Sequence, residues 1–230
     1  MKNDRLNRPI MGLRWSFFIA GLVILGFGIS LTMQVRDFGI GPWDVFHYGL
    51  YEQFGLTVGS WSIIAGIVIV VVSSIARKQI PQIGTILNMV MIGVFIDFFN
   101  WILPEPEWLV SKIAVFVMGT IITAIGIGVY VAPSIGAGPR DSLMLLLTDW
   151  LQWKVSTVRN GIEITVALAG WLLGGPVGAG TIFIALFLGS LVGYSLPLSK
   201  QLLNFLIRKG ERYENIYEGS LRPNHNDRIG

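Results

Sequence analysis

The sequence predicts an all-α polytopic membrane protein: six transmembrane helices in two inverted three-helix repeats, each with a short re-entrant or interfacial helix. Three observations lead there. The 230-residue chain is 53% hydrophobic and only 13% charged, too few charges to cover a soluble domain of this size. Its apolar residues come in blocks near the ~20 needed to cross a bilayer core. Its second half repeats its first at an offset of about 97 residues.

Six blocks read as spans: Trp15–Gln34, Val58–Ala76, Gly84–Leu103, Ser111–Ala132, Val155–Leu173 and Gly180–Leu198. A soluble core helix is usually shorter and keeps a polar face. The first block follows Lys2, Arg5, Arg8 and Arg14, as a signal peptide does. It is too long for such a segment and has no convincing small-residue cleavage site, so it reads as a retained helix. Pro42–Phe54 and Pro139–Trp153 are helical in character but too short to cross.

The loop charges order these spans under the positive-inside rule. With a cytoplasmic N-terminus, the first outer loop sets Arg36 against Asp37, Asp44 and Glu52. Arg77 and Lys78 then fall inside, Glu105 and Glu107 outside, and Arg140 and Lys154 inside. The uncharged stretch 174–179 lies outside, and Lys200, Arg208 and Lys209 inside. Six spans with both termini cytoplasmic fit this pattern. Eight spans strand Arg77 and Lys78 outside.

Gly39-Ile40-Gly41-Pro42-Trp43-Asp44 aligns with Gly136-Ala137-Gly138-Pro139-Arg140-Asp141. Upstream, the helix with Gly21 and Gly28 parallels that with Gly119 and Gly126. Downstream, residues 57–60 parallel 154–157, and Ile83-Gly84-Thr85 parallels Ala179-Gly180-Thr181. Three spans is an odd number, so successive copies insert with opposite orientation. Many secondary transporters are built this way, with a site at the midplane formed by discontinuous helices. The expected organisation is an N-terminal arm 1–13, repeat 14–104, outer loop 105–110, repeat 111–198, and a tail 199–230. That tail reads as an amphipathic helix from Gln201 to Lys209 followed by a disordered end.

In each Gly-x-Gly-Pro-x-Asp motif the glycines Gly39, Gly41, Gly136 and Gly138 permit a sharp bend. Pro42 and Pro139 are pre-shaped for the first helical position. Asp44 and Asp141 fall beside the free N–H groups of the new helix. Each motif therefore starts a short helix, either a re-entrant half-helix facing a cavity or an interfacial helix capped by its aspartate. Arg140 stands where the first copy has Trp43. It suits a carboxylate-like anion beside a helix N-terminus; alternatively it pairs with Asp141 or marks the cytoplasmic face.

Ionisable groups inside spans are costly and point to function. Arg159 and Glu163 are four apart and share a helix face. They are coupling candidates or a structural pair near the boundary. His47, in the first short helix, is a second proton-coupling candidate. Asp97, near Asn100 and Trp101, reads as interfacial. The chain has no cysteine, and its two histidines, His47 and His225, are far apart. Disulfides, thiol chemistry and a metal site are therefore not expected. No nucleotide-binding loop or catalytic signature is present, so no enzyme and no cofactor is expected. The basic residues sit at chain ends and loops, which explains the pI near 9.3 by topology rather than nucleic-acid binding.

The paired motifs, Gly39–Asp44 and Gly136–Asp141, with this layout from about Trp15 to Leu198, resemble the YczE/YyaS/YitT group of bacterial membrane proteins. The short tail resembles the YczE-like branch rather than YitT-like members, which carry a cytosolic domain. The resemblance implies the bacterial inner membrane and carries no functional residue over. Together the residues point to a secondary transporter or exporter of a small organic solute, with the bilayer as the other partner. The alternative is a non-transporting membrane scaffold or accessory partner. A homo-oligomer stays open.

Overall fold

The computed structural model describes residues 2–136 and 138–220. The expected tail beyond Ser220, including His225, lies outside the described residues, as does Ala137 within the second motif. The described residues form eight α-helices. They are α1 (Lys2–Met33), α2 (Pro42–Phe54), α3 (Val58–Arg77), α4 (Ile83–Ile102), α5 (Leu109–Val131), α6 (Pro139–Leu151), α7 (Val155–Leu172) and α8 (Ala179–Ser220). A 3-10 turn, Arg36–Phe38, precedes the first bend.

Five segments are long and apolar enough to cross a membrane: Ile10–Met33, Val58–Arg77, Ile83–Ile102, Leu109–Val131 and Ala179–Lys209. The remaining expected span, Val155–Leu173, corresponds to α7, which falls short of that apolar character. Arg159, Asn160 and Glu163 crowd its first half. At its far end, α8 runs on through Pro197 to Ser220, where the sequence predicts a break after Leu198 and a separate surface helix. Residues 198–209 contain neither glycine nor proline, so nothing stops the helix.

The centre of the bundle is α1 lying antiparallel along α5. Gly21 meets Tyr130, Leu25 meets Gly126, Gly28 meets Thr123 and Thr32 meets Gly119. Each step forward on α1 is thus a step back on α5. The glycines set the distance: a Cβ on Gly126 would lie 2.6 Å from the Leu25 Cα. Small residues let membrane helices approach in this way. Beside this contact α1 buries Phe18, Leu22, Leu25, Ile29 and Met33 in a stripe with Ile96 of α4 and Tyr130 of α5.

The remaining helices pack around this pair. α4 packs on α1, and α8 on α5; α2 packs on α7, and α6 on α3. The bend at Gly39 (φ +90°) seats on Gly178 and Thr181 at the start of α8. The bend at Gly136 seats on Gly84 and Thr85 at the start of α4. The exchange is incomplete: among the described residues α1 also touches α8 without a comparable α5–α4 contact, and one neighbouring pair differs more strongly. α3 packs closely along α4, while no comparable packing joins α7 to α8.

The α3–α4 contact is held at one end of the bundle by Asp97. Its Oδ2 accepts a hydrogen bond from the Thr57 hydroxyl at 2.6 Å, and its Oδ1 accepts from the Gly59 N–H at 2.8 Å. Thr57 also caps α3 by accepting from the Ser60 N–H at 3.0 Å. Gly59 and Gly93 lie backbone to backbone, so that a Cβ on Gly93 would sit 2.5 Å from the Gly59 carbonyl oxygen. Asp97 therefore ties two helices together, where the sequence reads only an interfacial residue.

Candidate functional site

The two short helices begin alike. Gly41 and Gly138 are extended (φ −59°, ψ 148° and φ −64°, ψ 161°), and Pro42 and Pro139 open the first turn. Both helices have 13 residues, about 20 Å at 1.5 Å per residue. Their N-terminal turns face a central cavity of about 680 Å³. Gly41, Pro42, Asp44, His47, Gly138, Pro139, Arg140, Asp141, Arg159 and Glu163 all line it. Gly39 and Gly136 do not; they seat the two bends on α8 and α4.

The main contact across the cavity joins the two motifs. Arg140 Nη2 lies 3.7 Å from Asp44 Oδ1, inside ion-pair range but beyond a hydrogen bond. The same guanidinium stands 5.0 Å over the Trp43 ring, a cation–π distance. The sequence offers Asp141 as a partner for Arg140; the structure gives it Asp44 instead. Adjacent residues on a helix project about 100° apart and do not face each other. Asp141 stays at the start of its own helix, its Oδ2 3.7 Å from where a Gly138 Cβ would be. On α7, Arg159 Nε donates to Glu163 Oε1 at 3.2 Å.

Asp44 is 6% exposed and His47 2%, while the Arg140 side chain is 42% exposed. A deep acceptor thus faces a more accessible cation. Four buried polar atoms on the cavity wall have no hydrogen-bond partner within the protein: Asp44 Oδ1, His47 Nδ1, Asn88 Nδ2 and Thr123 Oγ1. Buried polar groups are paired in the great majority of cases, and leaving one unpaired costs about 1–3 kcal/mol. Four around one cavity leave hydrogen-bonding capacity for groups from outside the chain, water included.

The sequence marks Asn88 only as a polar residue of the third span, two and a half turns before Asp97, and does not single out Thr123 or Tyr130; all three line the same cavity. The available signal was weak. Asn88 is a lone amide in an apolar span, and threonines are common in membrane helices because they bond their own backbone.

A family model described as a family of unknown function (DUF6198) matches residues 12–197. The chain belongs to the DUF6198 family. That match spans every cavity residue named above. The chain is 52% identical to the "Uncharacterized membrane protein YczE" of Bacillus subtilis over 197 residues, covering 86% of this chain and 92% of the relative. It is 32% identical to an "Uncharacterized protein" of Haemophilus influenzae over 187 residues, 81% and 85% of the two chains. With the "Uncharacterized protein YyaS" of Bacillus subtilis it shares 24% identity over 204 residues, 87% and 100%. No solved structure matches the chain. The likeness to YczE and YyaS drawn from the two motifs therefore holds, and this DUF6198 member is a membrane protein.

Proposed function

We propose that this protein is a secondary transporter or exporter of a small organic solute, working by alternating access and carrying out no enzymatic step. In this reading α1, α3, α4, α5, α7 and α8 span the bacterial inner membrane as two inverted repeats with both termini cytoplasmic. α2 and α6 are re-entrant half-helices. α7 has 18 residues, about 27 Å of helix, and its charged residues turn to the cavity rather than to lipid.

The observation that carries this reading is how the packing behaves when the repeats are exchanged. α1 and α5 hold equivalent places in the sequence and lie antiparallel. Gly21 on Tyr130 becomes Gly119 on Thr32, and Gly28 on Thr123 becomes Gly126 on Leu25. The α2–α7 and α4–α1 contacts become α6–α3 and α8–α5. A two-fold axis in the membrane plane produces this pattern. The packing departs from it where α3 is clamped to α4 and α7 stands off α8. With a cytoplasmic N-terminus, the clamp lies at the outer end. The cavity then opens inward, between α7 and α8. The opposite state pairs α7 with α8 and releases α3 from α4.

The cysteine-free chain makes this testable. Ser156 and Gly189 occupy the places of Gly59 and Gly93. A Ser156→Cys/Gly189→Cys pair is expected to cross-link reversibly in native membranes under mild oxidation, and the cross-link to block labelling of Ser62→Cys from inside. A pair that never cross-links removes the alternating-access reading in favour of a static scaffold. Labelling of a cysteine at position 77 from outside removes the inverted repeat.

A further inference from the structure

The Asp44–Arg140 pair and the unpartnered atoms beside it divide between two sides of the cavity, while Asp141 and the mutually paired Arg159 and Glu163 line it further along α6 and α7. The acceptors sit on α2: Asp44 Oδ1, and three residues on along the same face, His47 Nδ1, an acceptor when Nε2 carries the proton. The donors sit around the start of α6: the Arg140 guanidinium, and Asn88 Nδ2, whose amide oxygen lies 3.5 Å from where a Gly138 Cβ would be. Between the two sets the Asp44–Arg140 pair is open at 3.7 Å. Leu25, Ile29, Ile92, Ile127, Ile184 and Leu188 supply apolar wall to the same cavity.

Charge decides what fits between them. An anion drawn to Arg140 alone would leave the buried Asp44 carboxylate without its cation. A cation drawn to Asp44 alone would displace Arg140 and strand the guanidinium. Either breaks a partly buried pair by removing one partner, which is strongly destabilising. A molecule carrying both charges on neighbouring atoms enters the open pair and satisfies both sides. A cavity of about 680 Å³ also holds more than a charged head group, within the ~300–1,000 Å³ of small-molecule sites.

We propose that the cavity binds a small zwitterion with an apolar side chain, of the amino-acid type, with its ammonium on Asp44, its carboxylate on Arg140 and its side chain against the Ile29–Ile184 wall. This rests on the reading of the cavity as the transport site and names the class of solute.

The test is titration calorimetry on the purified full-length protein in nanodiscs, with L-leucine, glycine, N-acetyl-L-leucine (anion) and L-leucinamide (cation) as probes. L-leucine is expected to bind. The three others should each bind about tenfold more weakly or worse, since each lost charged hydrogen bond or buried apolar group is worth that much. Asp44→Asn should weaken L-leucine about tenfold or more while strengthening N-acetyl-L-leucine, because Arg140 is freed. Arg140→Gln should do the reverse and strengthen L-leucinamide. The assignment is overturned if no probe binds wild-type protein, if either singly charged analogue equals L-leucine, or if both variants weaken all probes alike. The Ser156→Cys/Gly189→Cys cross-link separates the two readings. N-acetyl-L-leucine as best ligand with a cross-link yield that responds to it removes the zwitterion and keeps transport. L-leucine as best ligand with an unresponsive yield keeps the zwitterion and removes transport.

Discussion

A single residue, Arg140, shows what neighbouring sequence can and cannot say. The duplicated motif made Asp44, Asp141 and Arg140 visible, because glycines, a proline and an acid at fixed spacing have few structural uses. Arg140's partner was not visible, since it comes from the other motif, almost a hundred positions away. Glycines divide just as sharply. Gly126→Val forces a side chain into the Leu25 backbone and is expected to cost about 1–3 kcal/mol or more, read as a lower thermal midpoint in detergent. A Cβ at Gly161 of α7 would have nothing within 4 Å. Gly161→Ala should therefore raise that midpoint, by the ~0.5–1 kcal/mol that glycine costs inside a helix.

Elements were legible where apolar length decided them and less so where charges interrupt. Four spans, α1 and α3 to α5, follow directly from their hydrophobic blocks. α7 does not, because its polar first half is explained only by the cavity it faces, a tertiary fact. The connection from α1 to α2 depends on contacts that no local pattern reveals. Lys112 Nζ of α5 donates to Asp37 Oδ2 at 2.6 Å, and Arg36 pairs with Glu105 at 2.6 Å. The hydrogen bond from Lys112, followed by its charge, holds the Asp37 carboxyl below its ordinary value of 3.8. A lowered carboxyl pKa stabilises above the unfolded value, and that contribution is lost as pH falls through the folded value. The thermal midpoint should accordingly drop as pH falls below about 4, and Lys112→Met should remove that part of the dependence. Asp37 is exposed and Lys112 half-buried, so the effect is a small one.

For the molecule as a whole, the offset between halves and the odd number of predicted spans suggested two opposed units. In the alternating-access reading, which unit is closed rests on residues that looked unremarkable. Gly59 and Asp97, which clamp α3 to α4, correspond to Ser156 and Gly193 in the second half. The second half therefore lacks the carboxylate that ties α3 to α4 in the first. Two substitutions test this at opposite ends. Asp97→Ala should cost about 1–2 kcal/mol of stability by freeing the Thr57 and Gly59 donors, and should raise labelling of Ser62→Cys from outside. Gly193→Asp supplies an acceptor for the start of α7 and should reduce labelling of Ser190→Cys from inside. No change in either accessibility would separate the clamp from the opening of the cavity.

Trp43 and Arg140 occupy the same place in their two motifs and rest on each other, 5.0 Å from guanidinium to ring. Once the copies differed there, neither half could substitute for its sister. A chain made of the first half twice sets two tryptophans face to face over the two aspartates. A chain made of the second half twice sets two like charges together. The two halves are therefore complementary at the centre of the molecule rather than interchangeable.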